Sequence, residues 1–454
     1  MGSLVIASDQ LDASSLDHLL LSKENFPASL KLDIPHLGYT ESLFLLNDAD
    51  LVEQYRSKES RMDTLSLHNV RVSSATSSIV RQYVVVVFQT EVLLTYRTKN
   101  HGVGLAGRKQ ERFYRVSPKD QSREVRRIHT LAIRSLYALG LDYGVVKAAV
   151  LQGNRTAVLD VILSPRLNME IGRHLAGAVI KYGKSLPQLA VSLKKVMLGA
   201  DPEFIMESLK GEIILASEYF PRFGSVGCDA IWQGRNRSHK PVVEIRPKPT
   251  NQPRELVVRM YQGMQKANQK VKHLSLRWLA GGLPHAGFPL GGHIHFSGIH
   301  LNFKLLRALD NYLALPLVLA EDPRGKKRRP KYGFLGDFRR QFHGGFEYRT
   351  LPSWLVSPTL TKGVIAAAQV IAAQYPYLRY NPLKDSSIQT AYYQGSKEKL
   401  KKIVPILWRD LTRLSEYKEY QTYLDGFFSL LLSGTTWNER VDFRRRWKLA
   451  PYNR

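Results

Sequence analysis

The sequence predicts an α+β protein in which an N-terminal α+β block precedes a C-terminal domain of short strands and late helices. Three observations carry this. Over residues 70–190, β-branched runs at hairpin spacing alternate with stretches whose apolar residues return every three or four positions. From residue 195, short strand-like segments are punctuated by Gly and Pro. Residues 362–375 and 397–423 then read as amphipathic helices, suited to packing. A length of 454 residues, with 44% hydrophobic and 23% charged, is ordinary for a globular chain of two or three domains.

Taken in order, residues 1–69 mix acidic and apolar segments and give no fold assignment. Residues 78–99, SIVRQYVVVVFQTEVLLTYRTK, predict two antiparallel strands. SREVRRIHTLAIRSLYALGLD predicts a helix with Gly140 as its stop. GVVKAAVLQGNRTAVLDVILSP predicts a hairpin turning at Gly153-Asn154, and a last helix is expected over residues 169–182. A boundary is expected near residues 186–195, giving segments 1–69, 70–190 and 195–454.

Several function classes are disfavoured. The single cysteine, Cys228, rules out a disulfide framework or a cysteine-rich zinc site. The start, MGSLVIASDQLD, lacks a basic region and a long apolar core, and Ile6 stands where a myristoylation signal needs Ser or Thr. The most apolar runs, residues 83–88 and 364–373, are too short to span a bilayer. A soluble, cytoplasmic protein with no membrane partner is expected. The formal charge of +27 favours polyanionic partners. Residues 1–60 hold ten acids against four bases, so the excess lies downstream, densest in RGKKRRPK at 324–331. That run reads equally well as a solvated loop, and no zinc finger, helix-turn-helix or RNA-binding signature accompanies it, so charge alone supports nucleic acid weakly.

The chemistry gathers in residues 195–380. In MLGADPEF, Asp201 and Glu203 are two apart, so on one strand they share a face. Two such carboxylates repel unless a proton or a hard cation lies between them. In GCDAIWQGRNRSHKPVVEIRPKP, Asp229 precedes a hairpin whose return strand carries Glu244 and Arg246 on one face, a pattern that a plain structural salt bridge also explains. In GGHIHFSG, His293 and His295 share a face, and the glycines admit close approach to the backbone. In YGFLGDFRRQFHGGFEYRTLPSWL, Glu347 and Arg349 repeat the acid–Arg pattern, with Arg339 and Arg340 upstream. Acids balanced by arginines suit phosphoryl transfer, which is mostly positioning and charge neutralisation. Trp232, Trp278 and Trp354 read as core or rim residues.

The ordered set G-x-D-P-E-F, G-x-D, E-x-R-P, G-G-H-x-H-F, Y-G-x-x-G-x-F-R and E-Y-R-T-x-P-S resembles the type-2 amidoligases, carboxylate–amine ligases of the glutamine synthetase and glutamate–cysteine ligase superfamily. The resemblance implies a curved antiparallel sheet with flanking helices, and a site on the concave face that uses ATP with Mg2+, or Mn2+ in its place. It implies Asp201, Glu203, Asp229, Glu244, His293 and Glu347 as metal ligands. His295, Arg339 and Arg340 would then lie toward the nucleotide, and Glu347, Arg349 and Arg339 would take part in catalysis. The implied substrates are a small-molecule or peptide carboxylate and an amine. Asp201 departs from the Glu common at its position. Residues 70–190 resemble the C-terminal half of an ATP-grasp domain, but Ile162 fills the position of its metal-binding Asn, so that segment is expected to be degenerate, with Asp160 as the stand-in acid. Two other readings remain: a non-catalytic basic module for nucleic acid or acidic polymer, and a metallohydrolase built on the same acids and histidines. Convergence of Glu203, Glu244, His293 and Glu347 on one point would disfavour the binding module.

Overall fold

The computed structural model describes residues 4–12, 25–74, 79–99, 112–166 and 168–450. It divides into two units, Met1–Gln188 and Leu189–Arg454.

In the first unit, β1 (Leu4–Ala7) pairs in parallel with β2 (Leu30–Asp33), and β3 (Leu45–Leu46) pairs with β2 antiparallel. A five-stranded antiparallel sheet follows, ordered β6-β5-β4-β7-β8. Its strands are β4 (Ile79–Phe88), β5 (Glu91–Thr98), β6 (Phe113–Arg115), β7 (Tyr143–Leu151) and β8 (Arg155–Ile162). Two expected hairpins are therefore present, the second turning through Gly153 and Asn154 at positive φ. Ser78, where the first was expected to open, lies outside the described residues. The helix over Arg123–Ala138 starts at Ser122, whose side chain accepts from the Val125 N–H, and it ends before Gly140 at φ 68°. The helix over Met169–Ser185 runs three residues past its expected end. The described residues among 1–69 take a structure that the sequence left open. Asn47 is buried and its side chain bonds the backbone at Ala28, Asp142 and Tyr143, tying that segment to the sheet. Asp160, the stand-in ligand, instead accepts from the Arg61 guanidinium at 2.8 and 3.2 Å. Among the described residues no metal-capable cluster includes it.

In the second unit every strand pairing is antiparallel. One sheet runs β16-β17-β15-β9 and contains β9 (Met197–Ala200), β15 (Ile294–Ser297), β16 (Phe338–Arg340) and β17 (Phe346–Tyr348). The other runs β11-β10-β13-β12, with β14 also on β10. It contains β10 (Glu203–Ser208), β11 (Ile213–Ile214), β12 (Val226–Cys228), β13 (Val242–Ile245) and β14 (Leu276–Leu279). The curled antiparallel architecture expected of the C-terminal domain is present, with helices packed against it. The chain is thus α+β throughout.

Two helical expectations change. The helix over Pro358–Gln374 is not amphipathic: residues 364–373 are buried almost all round, and it packs between the helices Pro253–Val271 and Gln421–Leu432. A helix apolar on every side belongs at the centre of a core. Residues 397–423 are not one helix. One ends at Leu411, and 3-10 turns intervene before the next begins at Gln421. The RGKKRRPK run is likewise not simply solvated. Arg328 and Arg329 are buried, the first donating to the Thr350 and Leu351 carbonyls and the second paired with Glu321 over the Tyr392 ring. Arginine suits this because its planar fork is satisfied at several donors at once. Among the described residues no helix is long and apolar enough to cross a membrane.

Candidate active site

The step from β9 to β10 creates the site. Residues 197–204 do not form one strand. Leu198, Gly199 and Ala200 pair with β15, whereas Glu203 pairs with Glu244 of the other sheet. Pro202 lies at the switch and has no N–H to offer a ladder. Asp201 and Glu203, expected on one face, are therefore sent to different clusters.

The first cluster is carboxylate only. Glu203 faces Glu244 across the β10–β13 ladder, and Asp229 joins from beyond β12, with ligand atoms of all three within 4.8 Å of one another. Glu203 also accepts from the Gly291 N–H at 2.6 Å. Burial, with Asp229 and Asp201 nearby, pushes the Glu203 carboxyl up to about 7 against the pull of His293. Arg246 pairs with Glu244, so the expected acid–Arg contact is present beside the cluster.

The second cluster joins Asp201, His295 and Glu347, again with ligand atoms within 4.8 Å of one another. His293 and His295 do share a face, because both reach one carboxylate: Nδ1 of His293 and Nε2 of His295 each lie 3.1 Å from an Asp201 oxygen. His293 Nδ1 is also 3.3 Å from Glu347. Burial disfavours charge on Asp201, yet the two imidazoles outweigh it and hold the carboxyl well below the usual range. Burial likewise works against a charged His293, but Asp201 and Glu203 outweigh it and raise its pKa. Glu347 is fully buried and accepts from Arg339 at 2.5 and 2.7 Å, from Arg349 and from Gln341 at 3.0 Å. Arg340 alternates with Arg339 along β16, opposite Phe346, and is exposed.

Glycines set the approach. A Cβ on Gly291 would lie 2.2 Å from His293 Nε2, and one on Gly292 would lie 2.4 Å from the Pro352 carbonyl oxygen. The Trp354 indole donates to the Gly292 carbonyl at 2.9 Å, so this buried tryptophan fixes the backbone before His293. Trp278 is buried and Trp232 half-exposed.

Nine of the ten site residues named from sequence belong to or contact these two clusters, and Arg340 neighbours Arg339 on β16. Glu203, Glu244, His293 and Glu347 do not meet at one point, however, but divide between the clusters. His295 joins Asp201 and Glu347 in the second trio, and His293, the histidine that the resemblance implied as a metal ligand, lies 3.1 Å from Asp201 and 3.3 Å from Glu347 beside it. Gln341 was missed, although its two-residue spacing from Arg339 on the same strand face could have flagged it.

A divalent ion fits this donor set. Asp201 Oδ1, His293 Nδ1 and His295 Nε2 are buried without a hydrogen bond of good geometry, and such groups cost free energy unless something satisfies them. An all-carboxylate trio suits Mg2+, while the imidazole-bearing trio also suits Mn2+.

The model of the family "Phage phiEco32-like COOH.NH2 ligase-type 2" matches residues 198–449, more than half of the chain. The chain belongs to this family of carboxylate–amine ligases. Both clusters lie inside the matched region. No curated protein matches the chain in sequence. Among solved structures it is similar to a bifunctional glutathione synthetase from Pasteurella multocida, at 10% identity, 59% coverage of this chain and a TM-score of 0.33. It also resembles a novel glutamine synthase homolog, at 14% identity, with 51% of this chain and 70% of that one covered and a TM-score of 0.26. The chain spans 52%, about half, of the length of the glutathione synthetase.

Proposed function

We propose that the ligase uses ATP and Mg2+ to activate a carboxylate as an acyl phosphate and then couples it to an amine. The observation that carries this reading is the pair of ligand trios joined through Asp201-Pro202-Glu203, with Arg339 and Arg349 converging on Glu347 at their border.

In the first step a substrate carboxylate oxygen attacks the γ-phosphorus of ATP. The bond from that phosphorus to the bridging oxygen breaks, and ADP leaves. In the second step the amine nitrogen attacks the acyl carbon, loses a proton and expels phosphate. Glu203, Asp229 and Glu244 would hold one ion, and Asp201, His295 and Glu347 a second, with His293 positioning Asp201 and Glu347. Bound there, the ions supply charge neutralisation on the phosphates. Arg339 and Arg349 stabilise the transferring group through planar, permanently charged forks. The low exposure of the clusters keeps water from the acyl phosphate.

An isotope experiment tests the activated intermediate. With 18O-labelled carboxylate, one labelled oxygen is expected in the inorganic phosphate released. Amide formation without that transfer would sink the acyl-phosphate route.

A further inference from the structure

The acids are spent inside the site, and its surroundings are cationic. Asp229 N donates to the Val242 carbonyl at 3.0 Å, so residues 230–241 leave directly from the carboxylate trio as a loop. The loop carries Arg235, Arg237 and Lys240 and no acid. Arg237 lies over the half-exposed Trp232 ring, 5.5 Å from its centroid. A second loop is tied to Glu244, because Arg246, which pairs with Glu244, donates to the Arg222 carbonyl at 3.0 Å. Arg222 lies over Phe223, which is 76% exposed. The third is the β16–β17 turn beside Glu347, which presents Arg340 and the 99% exposed Phe342. Across residues 221–240 and 338–349 the only acids are Asp229 and Glu347, both within the clusters. Among the described residues no ion pair engages Arg222, Arg235 or Arg237.

We propose that these three loops bind an acidic polymer, a peptide-like chain bearing many carboxylates, as the carboxylate substrate. The inference rests on the ligase reading above. The cations are spread over three separate loops, which is more than one nucleotide triphosphate or one small acid would engage. Arginine forks match carboxylates bidentately, and the arginine-backed aromatic faces of Trp232 and Phe223 offer flat surfaces for amide planes. Several weak contacts along one chain add through effective concentration. Single-stranded nucleic acid would also find cations and rings here, but it lacks the carboxylate that the reaction consumes.

The test uses the full chain and a fluorescein-labelled oligoglutamate, read by anisotropy without ATP, so that binding is measured whether or not the ligase reading holds. The double variant Arg235→Glu/Arg237→Glu is compared with wild type and with Lys402→Glu, a charge reversal on the exposed side of the helix Lys397–Leu411. Expected is a loss of affinity of about tenfold or more for the double variant alone, consistent with losing two charge-assisted contacts. With ATP and an amine, KM for oligoglutamate should rise in parallel while kcat stays within about twofold, the mark of lost uniform binding. Three results would overturn the inference: equal affinity for oligoglutamine, tighter binding of oligothymidylate than of oligoglutamate, or efficient turnover of free glutamate that the double variant leaves unchanged. The first two would leave the ligase reading untouched, and the last would support it while overturning the polymer. Absence of ATP turnover with every acid, beside intact and variant-sensitive oligoglutamate binding, would sink the ligase reading alone.

Discussion

Glu203 stands directly opposite Glu244 across the β10–β13 ladder, and Asp229 closes the group. Like charges directly opposed destabilise a ladder, so the arrangement requires a proton or a cation. Replacing Glu244 with Gln should weaken Mn2+ binding by about tenfold or more, read by calorimetry on the full chain. Unchanged affinity would remove Glu244 from the metal site.

Without metal, stability should fall as pH rises through neutrality. The Glu203 carboxyl, pushed up to about 7 by burial, holds its proton in the folded state over a range where the unfolded carboxyl has lost it. The folded state therefore binds more protons, and raising the pH favours unfolding. His293 acts in the same direction, because its pKa is raised and its contribution is lost as pH rises through that value. In EDTA the protein should be less stable at about pH 8 than at about pH 6, by on the order of 1–2 kcal/mol. Mg2+ should restore the loss. Denaturant titrations at both pH values check this, and a metal-free protein more stable at the higher pH would contradict it.

Gly291→Ala should separate the site from the fold. The added Cβ would meet His293 Nε2, part of a side chain that can swing away. Turnover should therefore drop at least about tenfold through misplacement of the ring, with modest loss of stability. Gly292→Ala meets the Pro352 backbone instead and should destabilise by about 1–3 kcal/mol. Melting curves and initial rates on both variants would show whether these costs divide as stated.

Asp160→Asn should leave ATP-dependent turnover within about twofold of wild type, because its carboxylate serves Arg61. A stability loss of about 1–3 kcal/mol is expected for the weakened, partly buried pair. Turnover that collapsed while stability held would restore a metal role to that segment. Arg329→Ala, by contrast, strands the buried Glu321 and should cost about 3–5 kcal/mol. Lys327→Ala, on the exposed side of the same run, should be nearly neutral.

What the sequence made legible follows from which signals are local. The hairpins at residues 79–98 and 143–162 were readable because β-branched runs and turn residues act over a few positions. The H-x-H face was readable because strand alternation alone sets it. The division of Asp201 and Glu203 between two sheets was not, since only the partner strands show where Pro202 ends one ladder and the next begins. The burial of Arg328 and Arg329 escaped for a similar reason, because it depends on the distant Thr350, Leu351 and Glu321. Residues 1–69 were unreadable because their fixed points, such as Asn47 on Tyr143, lie about a hundred positions away.

The most direct test is amine-dependent ADP release by wild type and by Glu347→Gln, with a carboxylate that the wild type accepts. Gln keeps the size of the side chain but removes the charge that Arg339 and Arg349 share and that the proposed ion would need. Sustained ADP turnover by wild type is expected only when carboxylate and amine are both present, carboxylate alone giving at most a single turnover, and a loss of about a hundredfold or more is expected in the variant. Turnover by Glu347→Gln at the wild-type rate would contradict it.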